Sequence, residues 1–244
     1  MKTVLITGSN GAIGQGLCES FTENGWRVIG ADLDENSKGS TDTYLSIDLD
    51  RLCKDVTYCD KIISNILDEC ESGLDVLVNN AATQILAPVE ELTFKNWEKT
   101  ININLNSAFI LIKGVLSKLE KKKGNVVNIA SIHATLTKSN FSAYATSKAG
   151  LIGLTKSLAV ELGSRVRINA ICPAAVDTPM LHESFVDNPS GLKELIKFHP
   201  TNSIGTVTDV ISAVLFLTDN NNTFLNGSIL NVDGGISGAL HDPL

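Results

Sequence analysis

The sequence predicts an α/β fold in which a seven-stranded, doubly wound parallel sheet is covered by helices on both faces. Short apolar segments alternate with segments of helical period from one end of the chain to the other, which is typical of repeated β-α units. The length of 244 residues, without an internal repeat or a linker, indicates a single domain over residues 1–244.

Each predicted strand is a short, mainly apolar run bounded by polar or turn-forming residues. The predicted strands are residues 3–7, 27–32, 44–48, 74–79, 124–131, 165–172 and 228–232. Only residues 33–43 separate the second strand from the third, and they are polar and rich in turn formers. A parallel crossover usually needs about a dozen residues or more, so we expect a loop with at most one helical turn there.

Most of the segments between the predicted strands have the apolar periodicity of a helix. The predicted helices are residues 12–24, 58–71, 96–121, 142–162 and 207–220. Residues 174–205 interrupt the alternation, and long insertions of this kind are often binding loops. We therefore expect a substrate lid at about residues 176–205, unless its apolar side chains pack against a neighbouring subunit.

Composition excludes several classes of function. A net charge of −7 disfavours nucleic-acid binding, and no apolar run is long enough to span a bilayer. The five cysteines form no CxxC pair and no zinc-type cluster, so we expect free thiols and no metal site. With no export signal visible, the predicted location is the cytoplasm.

A glycine-rich turn, TGSNGAIG at residues 7–14, joins the first strand to the first helix. Small residues let the backbone approach a pyrophosphate, and free amides at the helix N-terminus bind its charge. Such a turn alone is equally compatible with a tight connection that binds nothing. Asp32, at the end of the second strand, is the acid expected for a ribose diol, and together they predict a Rossmann-type dinucleotide site.

Asp32 also bears on the choice of cofactor. A carboxylate repels a 2′-phosphate, and Ser9, Asn10, Gly11 and Leu33 supply no basic group to bind one. The sequence therefore favours NAD over NADP. The alternative is that Asp32 is only an exposed acid at a strand end.

Tyr144 and Lys148 are four residues apart, on one face of a predicted helix. An ammonium near a phenol stabilises the phenolate, so we expect Lys148 to lower the pKa of Tyr144 and make it an effective acid/base. This spacing also occurs by chance in helices. Ser131 makes the chemical interpretation stronger, because it ends a predicted strand at the edge where ligands bind in such sheets.

These motifs resemble those of the short-chain dehydrogenase/reductase superfamily, in its compact single-domain form. The match covers essentially the whole chain. It comprises TGSNGAIG, Asp32, Asp48-Leu49, NNAA at residues 79–82, INL at 103–105, Ser131, YATSK at 144–148, NAICPAAVDTP at 169–179 and VDGG at 232–235.

The resemblance implies a set of residue roles. Ser131 would bind the substrate oxygen, Tyr144 would exchange its proton, Lys148 would hold the nicotinamide ribose, and Asn104 would anchor a water molecule that relays protons. The implied cofactor-binding residues are Gly8, Asn10, Ala12, Ile13, Gly14, Asp32, Asp48, Leu49, Asn79, Ala81, Tyr144, Lys148, Pro173, Val176 and Thr178. The resemblance also implies a homotetramer.

Several positions depart from the family pattern. Ala12, Ala82 and Ala174 stand where relatives usually have glycine, and a positive φ at Ala174 would strain the backbone. Ser203 stands where many relatives have an arginine, which removes an anchor below the lid.

The sequence indicates a small polar substrate but does not name it. Gln84 and His133 resemble residues of the beta-hydroxybutyrate dehydrogenases and suit a polar or anionic substrate, although His133 could equally cap a loop. Two further carboxylate ligands of those enzymes are replaced here, by Phe141 and His182. A hydroxy acid, a sugar and a polyol all stay open.

The sequence thus predicts an NAD(H)-dependent oxidoreductase that moves a hydride between nicotinamide and a secondary alcohol or ketone. The alternatives are a non-catalytic, NAD-sensing protein, which would not need the Ser/Tyr/Lys set, and a 3-oxoacyl reductase. An acidic acyl carrier would be repelled by the negative chain unless a local basic patch compensates. A methyltransferase shares the glycine turn but has no use for Ser131, Tyr144 and Lys148.

Overall fold

The computed structural model describes residues 1–186 and 188–240. Within them, seven strands form one parallel sheet in the order β3-β2-β1-β4-β5-β6-β7. The strands are β1 (Thr3–Thr7), β2 (Arg27–Asp32), β3 (Thr43–Ser46), β4 (Val76–Asn79), β5 (Asn125–Ile129), β6 (Arg167–Pro173) and β7 (Ile229–Val232). The predicted α/β class, with its parallel seven-stranded sheet, is confirmed.

Helices connect the strands and cover both faces of the sheet. They are α1 (Ala12–Glu23), α2 (Leu49–Lys54), α3 (Val56–Glu69), α4 (Phe94–Ile101), α5 (Ser107–Lys122), α6 (Ser142–Leu162), α7 (Pro179–Glu183), α8 (Pro189–Phe198) and α9 (Val207–Thr218). No helix in the described ranges is long and apolar enough to cross a membrane.

Alternation along the strands divides the core into two layers. In the fully buried β1, Leu5 faces one layer while Val4 and Ile6 face the other, because successive side chains point to opposite faces. The first layer includes residues of α3, α5 and α6, and the second includes residues of α1 and α9. Both faces of the central strands are therefore covered by helices.

Three local features differ from the sequence prediction. The predicted helix over 96–121 is α4 and α5 joined by a π-helix, Asn102–Asn106. The short helix α2 was not predicted, and the predicted lid contains α7 and α8. The link between β2 and β3 has no helix, as expected.

Strand order places a crevice at one edge of the sheet. Strands β2 and β3 lie on one side of β1, and the next strand in the chain, β4, lies on the other side. Connections diverge at such a reversal and leave space beyond the carboxyl ends of the strands, where α/β proteins bind ligands.

Candidate active site

A cavity of about 1160 Å³ lies at this edge of the sheet. One part is lined by the glycine turn and Asp32, and another by Ser131, Tyr144 and Lys148. Pockets for a single small ligand measure roughly 300–1,000 Å³. The cavity is therefore large enough for a dinucleotide and a small substrate together.

The glycine turn requires glycine at two positions. Gly8 has a φ of +67°, and a Cβ there would lie 2.8 Å from the Cα of Ala81. A Cβ on Gly14 would lie 2.0 Å from the carbonyl oxygen of Gly8. Ala12, by contrast, is simply the first residue of α1.

None of the three alanines at family glycine positions has a positive φ. The described non-glycine residues with positive φ are Lys123, Asn140 and Asn202. The strain that a left-handed Ala174 would have produced is therefore absent.

Asp32 is held at the cavity wall by the backbone. Its Oδ2 accepts a hydrogen bond from the Asn10 amide at 2.8 Å, and its Oδ1 accepts one from the Leu33 amide at 2.7 Å. Lys38 also lines the cavity, but its Nζ is 2.6 Å from Asp34 Oδ2. The carboxylate of Asp32 has a fixed position facing the crevice, while the ammonium of Lys38 pairs with Asp34.

Asn79 does not occupy the place predicted for it. Its side chain is buried and donates to Asn128 Oδ1 at 2.8 Å, and Asn79 is absent from the cavity wall. Asn80 lines the cavity instead, and its Nδ2 donates to the carbonyl oxygens of Thr7 and Gly8, at 3.0 Å each. Successive residues at the end of β4 point to opposite sides, so only the second asparagine supports the glycine turn.

Ser131 and Tyr144 meet at the end of β5. Ser131 is 7% exposed, and its Oγ accepts a hydrogen bond from the His133 amide at 3.2 Å. Tyr144 stands in the first turn of α6. Burial raises the pKa of Tyr144, and a hydrogen bond with Ser131 opposes that shift.

This direction contradicts the expected lowering of the Tyr144 pKa by Lys148. Lys148 is 2% exposed, its Nζ lies 5.7 Å from the centre of the Tyr144 ring, and it donates to the carbonyl oxygen of Ile129 at 2.7 Å. Burial also lowers the pKa of Lys148, to about 8. The two groups are close, as predicted, but burial sets the direction of both pKa shifts.

Asn104 supports the site from behind the cavity wall. It lies in the π-helix, is buried, and does not line the cavity. Its Oδ1 accepts from the Thr83 amide at 2.8 Å, and its Nδ2 donates to Thr83 O and to Ser147 Oγ, at 3.0 Å each. These bonds connect the segment after β4 with α6, and the water-anchoring role of Asn104 stays a prediction.

The predicted substrate residues separate into two groups. Gln84, His133 and Phe141 line the cavity, and the rings of His133 and Phe141 stack with 4.2 Å between their centres. His182 lies outside the cavity wall, exposed, with its Nε2 2.6 Å from Asp177 Oδ1. The substrate contact predicted for His182 stays a prediction, although its neighbours Leu181 and Glu183 do line the cavity.

His133 is a neutral group in this pocket. Burial, together with the charge of Lys138, lowers the pKa of His133 to about 4. Its Nδ1 lies 3.1 Å from Thr137 Oγ1. At neutral pH His133 can form hydrogen bonds but supplies no charge to an anion.

The donor set along the cavity fits a nicotinamide dinucleotide. The glycine turn lines the cavity at the N-terminus of α1, where free backbone amides can bind a pyrophosphate, and Asp32 can hold a ribose diol. The other predicted cofactor residues on the wall are Asn10, Ala12, Ile13, Asp48, Leu49, Ala81, Pro173, Val176 and Thr178.

Sequence reasoning missed several wall residues. Besides Asn80, they include Lys138, Phe185, Leu195, His199 and Ile236. Asn80 was visible as the second residue of the NNAA motif, but which asparagine faces the crevice depends on the strand register. The others lie in the lid or in loops, where the chain gives no periodic signal.

The fold and this Ser/Tyr/Lys site define a dehydrogenase-type oxidoreductase, and the comparison with known families agrees. A family model described as enoyl-(acyl carrier protein) reductase matches residues 8–237. The chain belongs to the short-chain dehydrogenase/reductase superfamily.

Three relatives match nearly the whole chain. An uncharacterized oxidoreductase of Schizosaccharomyces pombe is 34% identical, over 96% of this chain and 90% of that protein. D-threitol dehydrogenase of Mycolicibacterium smegmatis is 33% identical, over 96% and 92%. D-beta-hydroxybutyrate dehydrogenase of Rhizobium meliloti is 30% identical, over 96% and 98%.

Solved structures also match nearly the whole length of this chain. Ligand-free aldohexose dehydrogenase of Thermoplasma acidophilum has a TM-score of 0.89 at 30% identity, over 100% of this chain and 96% of that chain. A 4-hydroxyisoleucine dehydrogenase in complex with NADH has a TM-score of 0.88 at 29%, over 98% and 100%. ElxO with bound NADP has a TM-score of 0.86 at 27%, over 98% and 99%.

Proposed function

We propose that this protein is an NAD(H)-dependent oxidoreductase that transfers a hydride between nicotinamide and a secondary alcohol or ketone of a small polar substrate. The observation that carries the proposal is the arrangement of Ser131, Tyr144 and Lys148 on the wall of a cavity that also contains the glycine turn. Acid/base, oxygen-binding and cationic groups together suit the interconversion of an alcohol and a carbonyl.

Each of the three residues has a separate task. Ser131 holds the substrate oxygen, and Tyr144 gives a proton to that oxygen in reduction or takes it in oxidation. Lys148 supplies positive charge 5.7 Å from the centre of the tyrosine ring. The nicotinamide, when bound, accepts or donates the hydride, so the protein itself only has to position the carbon and move the proton.

The preference for NAD rests on the surroundings of Asp32. Both carboxylate oxygens are fixed by backbone amides, so the charge cannot turn away from an incoming 2′-phosphate. Lys38 is engaged with Asp34. A ribose diol, which can donate to a carboxylate, suits this position better than a phosphate does.

Uncharged hydrogen-bonding groups among the apolar side chains of the cavity support a small polar substrate over an acyl carrier. Gln84 and the neutral His133 offer hydrogen bonds without charge. The relatives include 3-oxoacyl-[acyl-carrier-protein] reductases at 31% identity, so that activity is the second candidate. A net charge of −7 opposes docking of an acidic carrier.

The test is a screen for NADH formation with polyols, sugars, hydroxy acids and simple secondary alcohols, run in parallel with NADP. We expect turnover with NAD that Tyr144→Phe reduces by at least about a thousandfold, within the range of general acid/base catalysis. Fluorescence titration should show NADH binding to the variant as to the wild type. Undiminished turnover in Tyr144→Phe would remove the tyrosine from the mechanism.

We also propose that the protein forms homotetramers in the cytoplasm. The resemblance to the superfamily supports the tetramer, and a subunit interface would cover exposed apolar side chains such as Phe109 on α5, Val160 on α6 and Phe216 on α9. Light scattering after size-exclusion chromatography measures the assembly directly.

A further inference from the structure

Lys38 is a cation at the cofactor end of the cavity, and it already has a partner. It is the one lysine or arginine in the loop over residues 33–42, and it lines the cavity together with Asp32 and Asp34. Its Nζ lies 2.6 Å from Asp34 Oδ2. A basic group is therefore present on the same wall as Asp32, but its charge is directed at a second carboxylate.

Asn10 of the glycine turn holds these three charged residues together. Its backbone amide donates to Asp32 Oδ2 at 2.8 Å, and its Nδ2 donates to Asp34 Oδ2 at 3.2 Å. Its Oδ1 accepts a hydrogen bond from the Lys38 amide at 2.8 Å. Asn10 is only 9% exposed, so the bonds that position the charges are shielded from solvent. The loop after β2 is thus anchored to the turn at which a dinucleotide would bind.

Tyr44 on β3 completes this arrangement. Its hydroxyl accepts from Asn10 Nδ2 at 3.1 Å and donates to the carbonyl oxygen of Asp34 at 2.7 Å. Burial raises the pKa of Tyr44, and the charges of Asp32 and Asp34 raise it further. The hydrogen bond and charge of Asp34 raise the pKa of Lys38, with a smaller contribution from the charge of Asp32. Both carboxylates therefore act on the same small region of the wall.

The balance of charge in this region disfavours an added phosphate. The carboxylates of Asp32 and Asp34 and the ammonium of Lys38 leave one net negative charge. A 2′-phosphate would be repelled by two carboxylates, and the lysine that could attract it is paired with one of them. A ribose diol needs no cation, because it can donate to Asp32 directly.

The ion pair itself contributes little to folding. The side chains of Lys38 and Asp34 are 60% and 48% exposed, and pairs with this exposure have little effect on stability. The charge of Asp34 can therefore be removed without unfolding the protein. Lys38 would then keep its position through its backbone bond to Asn10, with its ammonium free to turn toward the cavity.

Building on the proposed function, we propose that Asp34 is a specificity-determining residue that keeps Lys38 from binding the 2′-phosphate of NADP. Asp32 excludes this phosphate by repulsion, whereas Asp34 excludes it by occupying the cation that could bind it. A lysine ammonium is a common phosphate ligand in proteins. Selectivity for NAD thus depends on two carboxylates that act in different ways.

Two nucleotides that differ only by the 2′-phosphate test this role: adenosine 2′,5′-bisphosphate and AMP. Asp34→Asn removes the charge but keeps a side-chain oxygen for Asn10 Nδ2. We expect it to raise the affinity for the bisphosphate relative to AMP by about fivefold, measured by calorimetric titration. Glu35→Gln is the matched control, because Glu35 is the next residue, is exposed and does not line the cavity. This control should leave the ratio nearly unchanged.

Lys38→Met separates release of the lysine from simple loss of repulsion. The change Asp34→Asn is repeated in the Lys38→Met background, and the two gains are compared as a double-mutant cycle. We expect the gain to fall below about twofold there, because the cation that Asp34 releases is missing. Equal gains in both backgrounds would mean that Asp34 acts only through its own charge, and would overturn the proposal.

Salt provides a second readout on the same variant. Attraction between exposed charges weakens as ionic strength rises, so the gain in Asp34→Asn should shrink between about 0.05 M and 0.5 M NaCl. A gain that salt does not change would indicate a rearranged loop, and would also overturn the proposal. Fluorescence titration with NADPH should follow the same order of variants as the bisphosphate.

The outcomes separate this proposal from the proposed function. If the wild type binds NADH and AMP but Asp34→Asn leaves the nucleotide ratio unchanged, the role of Asp34 is overturned and the NAD-dependent oxidoreductase stands. A wild type that binds the bisphosphate more tightly than AMP would overturn this role together with the preference for NAD. A wild type that binds neither NADH nor AMP would instead reject the proposed function.

Discussion

Burial controls the protonation of the individual side chains around the cavity. It raises the pKa of Tyr144, lowers that of His133 to about 4 and lowers that of Lys148 to about 8. In each case desolvation penalises the charged form. At neutral pH, Tyr144 therefore keeps its proton and His133 is neutral, while Lys148 still carries most of its charge.

The buried ammonium makes stability depend on pH in a defined direction. The Lys148 pKa falls from 10.5 to about 8 on folding, so between these values the unfolded chain binds more protons. Stability of the wild type then rises with pH relative to Lys148→Met. From pH 7.5 to 9.5 we expect the difference in unfolding free energy to move by about 2 kcal/mol in favour of the wild type.

Urea unfolding at the two pH values measures this difference. Lys156→Met is the matched control, because Lys156 is an exposed lysine on the same helix. If Lys148→Met and Lys156→Met respond alike to pH, Lys148 is not desolvated as described.

Asp32 should determine cofactor preference through its charge. In Asp32→Ala we expect the ratio of kcat/KM for NAD over NADP to fall by about tenfold or more, equivalent to about 1.4 kcal/mol, because repulsion of the 2′-phosphate is lost. Glu35→Ala is the control, since it removes the same charge from an exposed position on the same loop. An unchanged ratio in Asp32→Ala would contradict the assigned role.

Among the secondary-structure elements, buried polar contacts connect the strands to the helix that carries Tyr144. Asn79 of β4 donates to Asn128 of β5 at 2.8 Å, and Asn128 donates to Thr155 of α6 at 2.9 Å. Asn104, in the π-helix, connects the segment after β4 to Ser147 of α6. These contacts hold α6 in one position relative to β5, and so hold Tyr144 beside Ser131.

The turn between β1 and α1 should tolerate an added methyl group at one glycine but not at another. A Cβ at Gly14 would lie 2.0 Å from Gly8 O, whereas one at Gly11 would lie 3.5 Å from the same atom. We expect Gly14→Ala to lower the unfolding free energy by about 1–3 kcal/mol or more, as overpacking does. Gly11→Ala should cost less, because it only weakens a helix N-cap.

Equilibrium unfolding of the two variants compares these positions. Equal stability of Gly14→Ala and Gly11→Ala would mean that α1 can move away from the turn, contrary to the packing described here.

At the scale of the whole molecule, the sheet order brings distant segments to one cavity. Its wall includes residues from Thr7 to Ile236, so a bound dinucleotide would contact both halves of the sheet. Ligands that bind only the folded state stabilise it by mass action.

Cofactor binding should therefore raise the melting temperature of the entire protein. NADH at about 100 times its Kd adds about 2.7 kcal/mol, which for a chain of this size corresponds to roughly 5–10 °C. We expect NADPH at the same concentration to give a much smaller shift because of Asp32. Differential scanning fluorimetry with both cofactors measures this, and equal shifts would contradict a preference for NAD.

The sequence by itself determined the sheet, its parallel strands and the chemical groups of the site. Buried parallel strands appear as continuous apolar runs, and β1, β2 and α6 begin and end where their patterns do. Ser131 could be placed at the site because the carboxyl ends of parallel strands share one edge of the sheet. Tyr144 and Lys148 could be placed together because residues four apart lie on one face of a helix.

Tertiary structure alone decided which face each side chain presents and how deeply it is buried. The side chain of Asn79 bonds within the sheet, whereas that of Asn80 bonds to the glycine turn. His199 lines the cavity and His182 does not. The pKa of Tyr144 is raised, opposite to the expected direction. Register, helix position and desolvation depend on contacts between residues far apart in the chain. A local pattern contains no information about those contacts, and so it could name the reactive groups without fixing their surroundings.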